Sequence, residues 1–76
     1  MKIHLRVKTQ LGMFEKITEV PYVPAKGSRV FEGTKMFEVS NVTLVLPENK
    51  TIVYFANTRI ANEGQWKRNG WNHIKN

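Results

Sequence analysis

The side chains of this 76-residue chain best equipped for chemistry are cationic and aromatic. Lys2, His4, Arg6 and Lys8 alternate with Ile3, Leu5 and Val7, so on an extended backbone they share one face. Four evenly spaced cationic or polar groups can follow a phosphate backbone, and Trp66 and Trp71 offer flat surfaces on which bases can stack. Arg59, Lys67 and Arg68 add charge beside those tryptophans. Plainer roles compete: charges on an edge strand guard against edge-to-edge pairing, and a tryptophan near a chain end commonly closes a small core. Tyr22 stands between two prolines, where it either anchors a protein partner or folds back as a lid on the core.

Catalytic sets are hard to assemble from what remains. The acids are six Glu and no Asp, and there are two His and no Cys. Glu15 and Glu19 share a strand face but stand about 13 Å apart at the standard rise, too far for a close carboxylate pair. They read as a solvated face. His4 and His73 lack an acidic companion nearby in sequence and read as surface imidazoles, which makes a poor metal site. The five glycines match neither a P-loop nor a dinucleotide fingerprint. We therefore expect no enzyme, no cofactor and no metal.

The net charge of +6 is unevenly distributed. Between Thr9 and Thr58 five bases balance five acids, so the excess lies at the ends, +3 in residues 1–8 and +3 in residues 59–76. Chain termini of small domains often lie close together. Convergence here predicts one positive patch suited to nucleic acid or to an acidic or nucleic-acid-binding protein. No segment has the length of a membrane span or the unbroken apolar stretch of a signal peptide, so a cytoplasmic protein that avoids the membrane is expected. Absence of cysteine leaves the hydrophobic core to hold the fold alone.

The elements that position these residues read as short strands in a single domain. After the first strand, Gly12 permits a tight turn into a returning strand over Met13 to Val20. Pro21 to Gly27 is a loop, Arg29-Val30-Phe31 a short strand whose Arg and Phe divide between surface and core, and Glu32 to Lys35 a turn. Met36 to Leu46 is a long strand whose apolar parity changes, from Phe37 and Val39 to Val42 and Leu44, which predicts a β-bulge near Ser40-Asn41. Thr51 to Phe55 is apolar on both faces, as a central strand is. For residues 57–76 two readings compete. Asn69-Gly70 suits a type I′ hairpin, which would set Arg68 opposite Trp71 and Trp66 opposite His73 on one face. Alternatively Thr58 to Arg68 forms a helical turn or two ended by Gly70; Gly64 weakens this, and extended structure is preferred.

The sum is mainly all-β: a small barrel or rolled antiparallel sheet of five to six strands. Over residues 20 to 56 the succession of Pro-x-x-Gly loop, short Arg-Val-Phe strand, Gly turn and bent Val-rich hairpin resembles small SH3-like barrels, of the kind phages and other mobile elements encode. That resemblance implies a fold and no activity. The expectation is a non-enzymatic binding module that touches nucleic acid through Lys2, Arg6, Lys8, Arg59, Lys67 and Arg68, with the two tryptophans stacking. The alternative is a protein-binding module, such as a phage or mobile-element inhibitor that blocks a host protein. An exposed strand edge also allows a homodimer.

Overall fold

A computed structural model describes residues 1–33, 35–58 and 63–74. The strands are β1 (Lys2–Thr9), β2 (Gly12–Glu19), β3 (Arg29–Glu32), β4 (Lys35–Val45), β5 (Lys50–Phe55) and β6 (Asn72–Ile74), and one helix, α1 (Glu63–Arg68), precedes β6. They form one six-stranded sheet in the order β3-β4-β5-β1-β2-β6. The sheet rolls into an open sheet rather than a closed barrel, with β3 and β6 at its edges.

The first hairpin forms as its alternation dictates. Ile3, Leu5 and Val7 are fully buried on the inner face, Gly12 takes φ 114° at the turn, and β2 returns antiparallel with Phe14 opposite Val7. β5 lies on the other side of β1 and runs parallel to it, with Leu5 beside Val53 and Val7 beside Phe55. The sheet is therefore mixed, correcting the expected all-antiparallel pairing. Parallel neighbours need a long crossover, and the connection from β1 to β5 here runs through three further strands, β2, β3 and β4. The central placement of β5 is as expected, since Ile52 and Val53 are buried on opposite faces. β1, too, is central, so its charges do not defend an edge.

The parity change in β4 is a register break: Val39 pairs with Phe55 and Asn41 with Tyr54, leaving Ser40 unmatched. Phe37 and Val39 thereby point into the core, while beyond the bulge Asn41 and Thr43 lie on the outer face beside Tyr54 and Ile52. The bend lets β3 and the start of β4 fold over the inner face.

α1 and the segment after it fill the mouth of the roll. Trp66 and Trp71 are each 3% exposed. Trp66 stacks on Phe14 with ring centroids 5.1 Å apart, Trp71 meets Trp66 edge-on at 5.2 Å, and Phe37 stacks on Phe55 at 4.8 Å. Such offset and edge-to-face pairs add to the burial of large rings. Asn69-Gly70 ends the helix rather than turning a hairpin: Gly70 has φ 87°, and Trp71 N donates to Trp66 O at 3.0 Å. The extended reading of residues 63–68 is thus overturned. A helix this short is held by what it packs against, and Trp66 on Phe14 supplies that packing.

The roll is pinned by Lys16 of β2. Its ammonium reaches Glu32 of β3 across the open side and donates to the carbonyl of Asn69 at 2.8 Å. At the other end of β2, His73 of β6 packs edge-on against Phe14, and its Nε2 lies 2.8 Å from the Leu11 carbonyl in the first turn.

Candidate functional site

The tryptophan platforms are absent from the surface. Because Trp66 and Trp71 form the core, neither has a face on which a base can stack, and the shared face with Arg68 and His73 does not exist. Their sequence neighbours remain outside: Arg68 is exposed, and Lys67 is exposed and paired with Glu63 at 3.1 Å on the helix surface. Arg59 lies outside the described residues.

The first strand presents its polar face outward as expected, but the four side chains are not equivalent. Arg6 Nε donates to Glu15 Oε2 at 2.8 Å, across the register that sets Arg6 opposite Glu15. Glu15 is therefore a half-buried ion-pair partner and not part of a solvated face. Burial works against its carboxylate, yet the Arg6 hydrogen bond and the charges of Arg6, His4 and Lys50 outweigh it and hold the pKa below the ordinary value. The Glu15 hydrogen bond in turn raises the Arg6 guanidinium above its ordinary value against the opposing effect of burial, with Tyr54 contributing. His4 is half-buried rather than a surface imidazole: its Nδ1 is buried and lies 3.5 Å from Glu15 Oε2, too long for a good hydrogen bond. His73 packs on the inner face, so the two imidazoles lie on opposite sides of the sheet.

Lys2 and Lys8 are exposed at the two ends of the strip. Lys2 stands opposite Glu19, which also pairs with the N-terminal ammonium at 3.2 Å. Among the described residues, the first and the last do not converge. Met1 meets Val20 at one end of β2, whereas Ile74 pairs with Met13 at the other, about 20 Å away at the strand rise. The Lys8 carbonyl accepts from Thr58 N at 3.3 Å. In place of a single merged patch, an open concavity of about 450 Å³ lies beside Lys8, its wall mixing Asn41, Thr43, Tyr54 and Asn57 with apolar Met13 and Phe55.

A second face was only partly visible in the sequence. Tyr22 is 72% exposed and borders a groove of about 440 Å³ that runs between the Pro21-to-Ala25 loop and the Ser28-to-Val30 edge. Tyr22 is thus an exposed side chain rather than a lid. Arg29 and Phe31 do not divide between surface and core: both point outward, and Val30 and Glu32 turn inward. Phe31 is 73% exposed and sits opposite Met36, itself 52% exposed. The cue in the sequence was that Val30, between them, carries the same strand parity as the inward Glu32, which Lys16 neutralises. Without the Lys16 partner in view, an inward glutamate looks wrong and an inward Phe31 looks right.

Among the described residues no cluster of three or more His, Cys, Asp or Glu side chains could hold a metal ion, and no helix is long and apolar enough to cross a membrane. Compared with models of known protein families, with curated proteins and with solved structures, the chain matches none.

Proposed function

We propose that this chain is a non-enzymatic binding module that docks on a protein through the face formed by Tyr22, Arg29, Phe31 and Met36. One observation carries the reading: Tyr22, Phe31 and Met36 stand out from an ordered loop and hairpin, while the other Phe, Tyr and Trp rings are in the core except half-buried Tyr54. An isolated exposed apolar side chain needs no explanation, but an exposed phenylalanine paired across strands with a methionine beside an apolar groove is the makeup of an interface core. Arg29 in the patch stands opposite exposed Glu38, and the excess positive charge lies in residues 1–8 and 59–76, so the face itself favours a partner with an apolar contact surface. A small inhibitor of the kind phages encode, blocking a host protein by contact, fits this description.

The test is to place a photo-crosslinking residue at position 31, identify the captured protein, and measure its affinity for the unmodified chain and for Phe31→Ser and Tyr22→Ser. Loss of tenfold or more in each variant, at unchanged melting temperature, supports the reading. Equal affinity in all three proteins refutes it.

Nucleic acid remains the second reading, favoured by one specific observation: the concavity beside Lys8 has no carboxylate in its wall. Binding there would weaken steeply with salt, whereas docking on the aromatic face would depend on it far less.

A further inference from the structure

We propose that the concavity beside Lys8 binds a phosphate group, held by the Lys8 ammonium and by neutral donors from β4, β5 and the segment after β5. The site lies apart from the protein-docking face, and its biological ligand rests on the nucleic-acid reading only where the phosphate belongs to a nucleotide strand.

Three features of the outer face lead to it. First, the β-bulge at Ser40 sets the register so that Asn41 stands beside Tyr54 and Thr43 beside Ile52. Bulges frequently serve to re-aim side chains at functional sites. Without that extra residue, the strand's parity would turn Asn41 and Thr43 inward. Second, Lys8 from β1, Asn41 and Thr43 from β4, Tyr54 from β5 and Asn57 from the segment that follows line the concavity together with apolar Met13 and Phe55; the Ser40 hydroxyl beside them already donates to the Tyr54 carbonyl at 3.1 Å, and Asn41 Oδ1 accepts from Val42 N at 3.0 Å, so Asn41 offers its NH2. Asn and Thr side chains and the tyrosine hydroxyl all donate to phosphate oxygens, and a lysine ammonium binds phosphate as a point charge.

Third, the charge is unopposed where it matters. Glu15, the outer-face carboxylate on the neighbouring strand, is engaged by Arg6 at 2.8 Å, two residues along β1 from Lys8. Lys8 itself faces Met13, which brings no charge. A volume of about 450 Å³ accommodates a phosphate with an attached sugar or base, and the Tyr54 ring in the wall offers a surface for that base. One lysine with several neutral donors matches a single phosphate better than a run of them.

The experiment is an amide NMR titration of the full chain with three probes: inorganic phosphate, adenosine monophosphate and unphosphorylated adenosine. A short single-stranded DNA is titrated alongside. The expected result is saturable shifts at Lys8, Asn41, Tyr54 and Asn57 with both phosphate-bearing small molecules and none with adenosine. Lys8→Glu is expected to weaken binding tenfold or more at unchanged melting temperature, and Lys8→Gln to weaken it less. Tighter binding of the monophosphate or the oligonucleotide than of inorganic phosphate, with the difference removed by Tyr54→Leu, assigns the phosphate to a nucleotide. Equal affinity for all of them assigns it to free phosphate. No shift at millimolar phosphate, or shifts unchanged by Lys8→Glu, overturns the site. Should the small probes bind and the oligonucleotide not, the site stands and the nucleic-acid reading fails.

Discussion

The ammonium of Lys16 in β2 donates to the backbone carbonyl of Asn69 at 2.8 Å, so the end of the helix is fastened to a strand 53 residues earlier in the chain. The same ammonium meets Glu32 on the opposite edge of the roll. Cationic groups at a helix C-terminus satisfy carbonyls that have no partner within the helix. Lys16→Met is expected to cost about 1–2 kcal/mol, the usual range for a charge-assisted hydrogen bond that is partly screened. In a domain of this size that corresponds to a fall in melting temperature of roughly 5–15 °C. Glu32→Gln, which leaves the carbonyl contact in place, is expected to cost less.

Trp66 and Trp71 hold the core together, and their fluorescence reports folding. Emission from the native chain is expected to be blue-shifted, poorly quenched by acrylamide, and shifted to the red on unfolding. Trp66→Ala is expected to cost about 3–5 kcal/mol, enough to unfold much of a domain this small; Trp66→Phe keeps an aromatic ring against Phe14 and is expected to cost less. A native spectrum already red-shifted and readily quenched would contradict the burial.

The Arg6–Glu15 pair makes stability depend on acid. The Glu15 carboxyl titrates lower in the folded chain than in the unfolded one, so its contribution is fully present above the ordinary carboxylate range, near pH 4, and is lost as pH falls through the depressed folded value. Urea midpoints are expected to fall with acidification in the native chain and to fall less steeply in Glu15→Gln. Arg6 stays charged at every accessible pH and adds no slope of its own. Identical acid profiles for the two proteins would show that the pair contributes nothing.

Gly12 combines two constraints. Its φ of 114° is unfavourable for a residue with a side chain, and an added Cβ would lie 2.7 Å from Nε2 of His73. Gly12→Ala is expected to destabilise by about 1–3 kcal/mol. Made in a His73→Ala background it keeps the backbone cost and loses the contact, so the penalty should shrink without vanishing. Equal penalties in both backgrounds would show that the ring simply moves aside.

The sequence disclosed the local features and withheld those that depend on distant partners. Alternation of Ile3, Leu5 and Val7 with polar residues determines β1, and the changed parity around Ser40 locates the bulge. The parallel pairing of Leu5 with Val53 has no local signal, because residues so far apart in sequence leave no mark on each other. Asn69-Gly70 carries the same composition whether it turns a hairpin or ends a helix. What decides is Trp66 finding Phe14, a contact over 52 residues of sequence. That one choice also decides the candidate site. A hairpin would have left both tryptophans outside for stacking, and the helix takes both into the core. Tyr22 could be named from its flanking prolines, while Phe31 and Met36 were hidden by the inward glutamate that Lys16 accepts.

The most direct test of the docking face compares the affinity of the crosslinked partner for the native chain, for Phe31→Ser with Tyr22→Ser, and for Lys8→Glu, at low and near-physiological salt. The account predicts a loss of tenfold or more in the double variant, little change in Lys8→Glu, a shallow salt dependence and unaltered melting temperatures. Full affinity in the double variant together with loss in Lys8→Glu and a steep salt dependence would contradict it, and would move the functional surface to the concavity beside Lys8.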